Sequence, residues 1–148
     1  MLIGIIGENC SGKSTLAGKI RETIGAEIIT GKDYLRMAKT EGEARKLFQE
    51  KLKSAVSGDN IIYVISEPDH LALLPDGAIR ILVNADLETI KNRFRARMRG
   101  NLPEPVARML EKKHGMFEGG DYDYRYDSTK DDPAKLCEKL KSHQGQSS

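Results

Sequence analysis

Eight residues near the start of the chain carry its clearest chemistry: Gly7-Glu8-Asn9-Cys10-Ser11-Gly12-Lys13-Ser14. Their types and spacing fit G-x-x-x-x-G-K-[ST], a loop suited to holding phosphates. Glycine lets the backbone curl until its N–H groups point inward at phosphate oxygens. A helix beginning at Lys13 would aim its positive end at the same anion. Lys13, read as an exposed loop side chain, would reach the β- and γ-phosphates, and the Ser14 hydroxyl would coordinate Mg²⁺. The expected triphosphate contacts are Gly7, Asn9, Cys10, Ser11, Gly12, Lys13, Ser14 and Thr15. Cys10 reads two ways: a small filler whose backbone does the work, or a thiol made acidic by the helix N-terminus.

A second set of charges follows the chain's middle. Arg93, Arg95, Arg97 and Arg99 alternate through residues 87–99, where Leu87, Ile90, Phe94 and Met98 make an apolar stripe at helical spacing. At about 100° per residue, Arg93 and Arg97 flank that stripe, whereas Arg95 and Arg99 point nearly opposite it. Arg93 and Arg97 are an i, i+4 pair, so they can converge on one anion, and a phosphate between them would relieve their repulsion. The other reading is a solvated basic face. For the metal, an acid at the end of a strand is the usual partner of the loop hydroxyl. Glu67 is the first candidate and Asp69 the second, against a plain turn carboxylate. His70 and His114 have no partner at metal spacing, and the acidic run 121–132 reads as a solvated face and loop.

These groups need a scaffold, and the apolar pattern describes one. Strands are predicted over residues 2–6, 27–30, 61–65, 78–83 and 122–126. Helices are predicted over 13–24 and, more briefly, 33–39. A capping box at residues 40–43 opens a further helix, which Gly58 and Asp59-Asn60 end. After a short helix or turn at 68–74, a helix runs from 87 to about 99 behind Asp86. Residues 100–105 interrupt it, and helices at 106–114 and 133–141 follow. The alternation indicates an α/β chain of three α/β/α layers, with a mostly parallel five-stranded sheet and a short helical lid. Ligands bind such sheets at the carboxyl ends of the strands.

The 148 residues fit one domain, read as 1–141, with 142–148 as a polar, disordered tail. Hydrophobic residues at 39% and charged residues at 31% are ordinary for a globular chain, and a net charge of +2 gives no reason to expect a stable nucleic-acid partner. The two cysteines, Cys10 and Cys137, form no metal spacing or disulfide framework. The apolar start ends after residue 6, too short for a signal peptide or a membrane span. A cytoplasmic location and a small-molecule partner are expected. The oligomeric state is not legible.

From these residues the chain resembles the nucleoside monophosphate kinase group of P-loop kinases, over most of residues 1–140. Ile29-Thr30-Gly31-Lys32-Asp33-Tyr34-Leu35-Arg36 is similar to the Thr-Gly-Asp-x-x-Arg stretch of adenylate kinases, with Lys32 inserted before the Asp. That likeness implies Thr30, Asp33 and Arg36 as acceptor contacts. The stretch also resembles polynucleotide and sugar kinases, where an Asp after the second strand is the general base, and Asp33 equally suits a helix cap. Residues 79–128 resemble guanylate kinases, with Arg93, Arg97, Arg108 and Tyr122-Asp123 in the matching places. The guanylate-type acceptor region is not recognisable between Thr30 and Ile61. The resemblance implies ATP as donor, Lys13, Arg93 and Arg97 as catalytic cations, Arg99 and Arg108 in the lid, and Ser128 and Thr129 against the base of ATP. The expected activity is transfer of the γ-phosphoryl to a nucleoside monophosphate. The alternatives are a hydroxyl acceptor (nucleoside, sugar or polynucleotide end) with Asp33 as base, and a non-catalytic ATP-binding module.

Overall fold

Five short strands pair side by side in a computed structural model that describes residues 1–146. The strands are β1 (Leu2–Ile6), β2 (Glu27–Thr30), β3 (Ile61–Ile65), β4 (Ile79–Asn84) and β5 (Tyr124–Asp127). They form one sheet of order β2-β3-β1-β4-β5, and every pairing is parallel. β1 and β3 are buried along their whole length, as near-continuous Ile, Leu and Val runs require when both faces are covered.

Alternate side chains feed two cores. Ile3, Ile5, Ile62 and Val64 pack with Leu16 and Ile20 of α1 (Lys13–Ile24) and Leu136 and Leu140 of α6 (Pro133–Gln146). Leu2, Ile6, Tyr63 and Ile65 pack on the other face with Phe48 and Leu52 of α2 (Glu41–Ala55). Thr40 starts α2 by accepting the Glu43 N–H at 3.3 Å, one half of the expected capping box. A short 3₁₀ helix, Asp33–Met37, and α3 (Pro68–Leu71) lie in the connections after β2 and β3. A third, smaller core joins Ile90 of α4 (Leu87–Arg97) to Leu110 of α5 (Glu104–Lys113), with Ala85 and Cys10.

The helix boundaries depart from expectation where the backbone turns left-handed. α4 stops at Arg97, because Arg99 and Gly100 take φ values of 58° and 88° and the Gly100 N–H bonds back to the Arg95 carbonyl at 2.8 Å. Met98 is therefore exposed and leaves the predicted apolar stripe. α5 begins at Glu104, two residues early, since Pro103 and Pro105 suit the first turn of a helix. β5 begins two residues late, because the Asp123 carboxylate accepts the Arg80 N–H at 2.8 Å. α6 runs on to Gln146, so residues 142–146 are helical rather than a disordered tail. The Tyr124 hydroxyl meets His143 Nε2 at 2.6 Å and holds that end of the helix against the sheet. The rest of the expected tail, 147–148, lies outside the described residues. Among the described residues no helix is long and apolar enough to cross a membrane.

Candidate active site

The strand order reverses at β1, and the phosphate-type loop leaves its carboxyl end there. The Gly7 N–H donates to the Ile65 carbonyl at 3.1 Å and pins the loop to β3. A Cβ at Gly7 would meet the Val83 carbonyl at 2.6 Å and Ser11 Oγ at 2.7 Å, so only glycine fits. Gly12 has φ +107°, and a Cβ there would lie 2.8 Å from the Ser128 side chain. α1 starts directly after it with no side-chain cap, leaving its first N–H groups to an anion. Cys10, also left-handed at φ 64°, buries its side chain in the small core with Ile90 and Leu110. That burial suits the filler of the two readings.

Lys13 is not the exposed side chain expected of a loop. It is 6% exposed, and its Nζ donates to the Glu8 carbonyl at 2.6 Å. Burial pushes its ammonium down to about 8, the charge of Arg97 adds to that, and Cys10 and Glu8 oppose it. The Ser11 hydroxyl is buried inside the loop without a protein partner. Glu8 also uses its carboxylate, which accepts from Gly115 N–H at 2.9 Å and pairs with His114 Nδ1 at 3.1 Å. The turn after α5 is thereby fastened to the loop. Sequence gave no signal for this, because 106 residues separate the partners.

Two cavities flank the loop. One of about 370 Å³ lies between α1 and α4, lined by Gly12, Thr15, Lys19, Arg93, Ala96, Arg97, Tyr126 and Ser128. The other, about 130 Å³, is lined by Asn9, Lys13, Ser14, Thr30, Ser66 and Arg97. Arg97 borders both. Arg93 lines the larger cavity with it. Its Nη1 donates to the Cys10 carbonyl and to Ser128 Oγ, each at 3.0 Å, and those acceptors hold it on the larger cavity. Helical spacing put both arginines on one side of α4, and acceptors on other elements decide where the Arg93 guanidinium ends.

The remaining candidates separate cleanly. Thr30 lines the smaller cavity. Asp33 stands exposed at the first residue of the 3₁₀ helix and Arg36 is exposed near that helix's far end, both off the lining. Asp33 is close enough that its charge contributes, after burial and Tyr34, to raising the proton affinity of the Tyr63 hydroxyl. Arg99 is exposed in the turn after α4. Arg108 pairs with Glu104 at 2.6 Å in solvent, and Arg95 donates to Asn92 at 2.8 Å. Ser128 reaches the larger cavity. Thr129 instead donates its N–H and hydroxyl to Asp127, holding that carboxyl below its ordinary range. Lys19 and Ala96, which sequence reasoning missed, follow the helical spacing of Thr15 and Arg93 and were accessible to it.

The donor set fits a magnesium ion only in part. Ser14 offers the loop hydroxyl, but Glu67 is exposed at the start of α3 and is not on the lining, whereas its neighbour Ser66 is. No Asp or Glu lines the smaller cavity, and among the described residues no group of three or more His, Cys, Asp or Glu could hold a metal.

No family model matches the sequence, and no curated protein matches it. Solved structures do match its fold. A sugar kinase from Janibacter sp. shares 18% identity, with 95% of this chain and 91% of that one covered at a TM-score of 0.62. A shikimate kinase from Acinetobacter baumannii in complex with shikimate shares 14%, covering 97% and 92%, at 0.59. A deoxyadenosine kinase from M. mycoides with bound dATP shares 18%, covering 98% and 100%, at 0.56. The fold is that of the P-loop kinases.

Proposed function

We propose that this protein is an ATP-dependent phosphotransferase that moves the γ-phosphoryl group to a hydroxyl of a small acceptor. The observation that carries the reading is Arg97, which borders the base-sized cavity and the cavity of Lys13, Ser14 and Thr30 alike. A cation at that junction suits the phosphoryl group between donor and acceptor, where transfer depends mainly on positioning and charge neutralisation. The larger cavity would take the base of ATP against Ser128 and Arg93. Magnesium, arriving on the triphosphate and held by Ser14, would neutralise phosphate charge.

Two observations favour a hydroxyl acceptor over a nucleoside monophosphate. Arg36, the cation expected to grip an acceptor phosphate, is exposed and off the lining, whereas Thr30 and Ser66 offer hydroxyls. Three of the structural neighbours are named as kinases of a sugar, shikimate and deoxyadenosine, molecules that carry hydroxyls and no phosphate. In the proposed step the acceptor oxygen bonds to the γ-phosphorus, the bond from that phosphorus to the bridging oxygen breaks, ADP leaves, and Asp33, three residues beyond Thr30 and itself exposed and off the lining, is the candidate to take the hydroxyl proton. Coupled ADP release with a panel of sugars, polyols, nucleosides and nucleoside monophosphates tests it. Stoichiometric release with a hydroxyl acceptor is expected. Release with monophosphates alone restores the nucleotide kinase, and ATP binding with no release identifies a non-catalytic module.

A further inference from the structure

We infer that capture of the triphosphate by this loop does not depend on a divalent cation, and that Ser66 is the residue that makes it so. The inference rests on the nucleotide-binding reading above. Ser66 follows β3 directly, half-buried, and lines the smaller cavity with Lys13, Ser14 and Arg97. It occupies the strand end where an acid would both attract a metal and repel bare phosphate. The nearby carboxylates lie off that lining. Glu8 is tied to His114 and Gly115 on the far side of the loop. Glu67 is exposed at the start of α3, and Asp33 is exposed on the 3₁₀ helix.

The charged side chains that line the smaller cavity are therefore Lys13 and Arg97, with neutral hydroxyls around them. Preference for the magnesium complex over free ATP comes from groups that interact differently with the two. A carboxylate favours the complex twice, by attracting the metal and by repelling the more negative free nucleotide. A site of cations and hydroxyls discriminates far less, with only the Ser14 hydroxyl favouring the complex, since its cations attract free ATP at least as strongly. By linkage, a nucleotide that binds equally well with and without metal gives the bound metal no extra affinity either.

The test is calorimetric titration of the wild type with the non-hydrolysable β,γ-imido analogue of ATP, in magnesium and again in EDTA. The two dissociation constants should agree within about tenfold. Ser66→Asp should widen their ratio by about tenfold or more, and Ser66→Asn, which adds bulk without charge, should not. A wild-type requirement for magnesium of about a hundredfold or more, removed by Asp33→Asn or Glu67→Gln, would overturn the inference and show which acid holds the metal. The wild-type comparison stands even where Ser66→Asp fails to fold. Absence of binding in both buffers removes the nucleotide reading itself, and the inference with it.

Discussion

Arg93 and Ser128 share a hydrogen bond of 3.0 Å from guanidinium to hydroxyl, across 35 residues of chain. The same Nη1 holds the Cys10 carbonyl at 3.0 Å. One side chain from α4 thus joins the phosphate loop to the segment after β5, at the edge of the larger cavity. Arg97, one turn on, makes no such bond among the described residues and borders the smaller cavity as well.

These two arginines should fail differently. Arg97→Ala is expected to lower kcat by about 10²-fold or more with a modest change in KM for ATP, because its charge meets the phosphoryl group mainly in the transition state. Arg93→Ala should raise KM for ATP and lower apo stability by about 1–3 kcal/mol, the usual cost of losing charged hydrogen bonds. Arg95→Ala should change neither. Steady-state kinetics and thermal melts of the three variants check this, and equal kinetic losses at 93 and 97 would contradict the division.

Nucleotide affinity should fall with rising pH. Free Lys13 is held near 8, whereas bound phosphate needs it charged. Above pH 8 the nucleotide must therefore bring a proton back to the lysine, and the dissociation constant should rise about tenfold from pH 7 to pH 9. Lys13→Met should bind weakly at every pH in that range. A flat wild-type profile would mean that the lysine stays charged in the free protein.

The same depressed value has a consequence for folding. A lysine that holds its proton less well folded than unfolded destabilises the fold wherever it is charged, which is below pH 8, and ceases to do so between 8 and its unfolded value. Apo Lys13→Met should therefore be more stable than wild type at pH 7, by about 1–2 kcal/mol. The gap should close as pH rises through that window. Denaturant melts at pH 7 and pH 10 measure it, and a variant less stable than wild type at pH 7 would refute the sign.

Asp33→Asn separates the acceptor classes. With a hydroxyl acceptor the loss should be about 10²–10⁴ in kcat, the usual worth of a general base. Asp33 is exposed and, contrary to the cap its type suggested, no side chain caps the 3₁₀ helix, so the melting temperature should hold. Near-normal kcat with a raised acceptor KM would point instead to a monophosphate acceptor, whose attacking oxygen is already ionised.

The phosphate loop, the parallel sheet and most element boundaries were legible in the chain, because each depends on local chemistry. Gly7, Gly12, Lys13 and Ser14 sit within one turn of backbone, and the apolar runs at 2–6 and 61–65 can be buried only in the middle of a sheet. The helical period alone also placed Arg93 and Arg97 on one side of α4. What only the tertiary structure decided is what those side chains meet. Cys10 and Ser128 claim Arg93, His114 and Gly115 claim Glu8, and Ser66 rather than Glu67 lines the phosphate cavity. Such contacts join residues tens of positions apart, and long side chains settle wherever the assembled fold offers a partner. A local pattern determines the direction in which a side chain starts, while the packing of distant elements determines where its charge comes to rest.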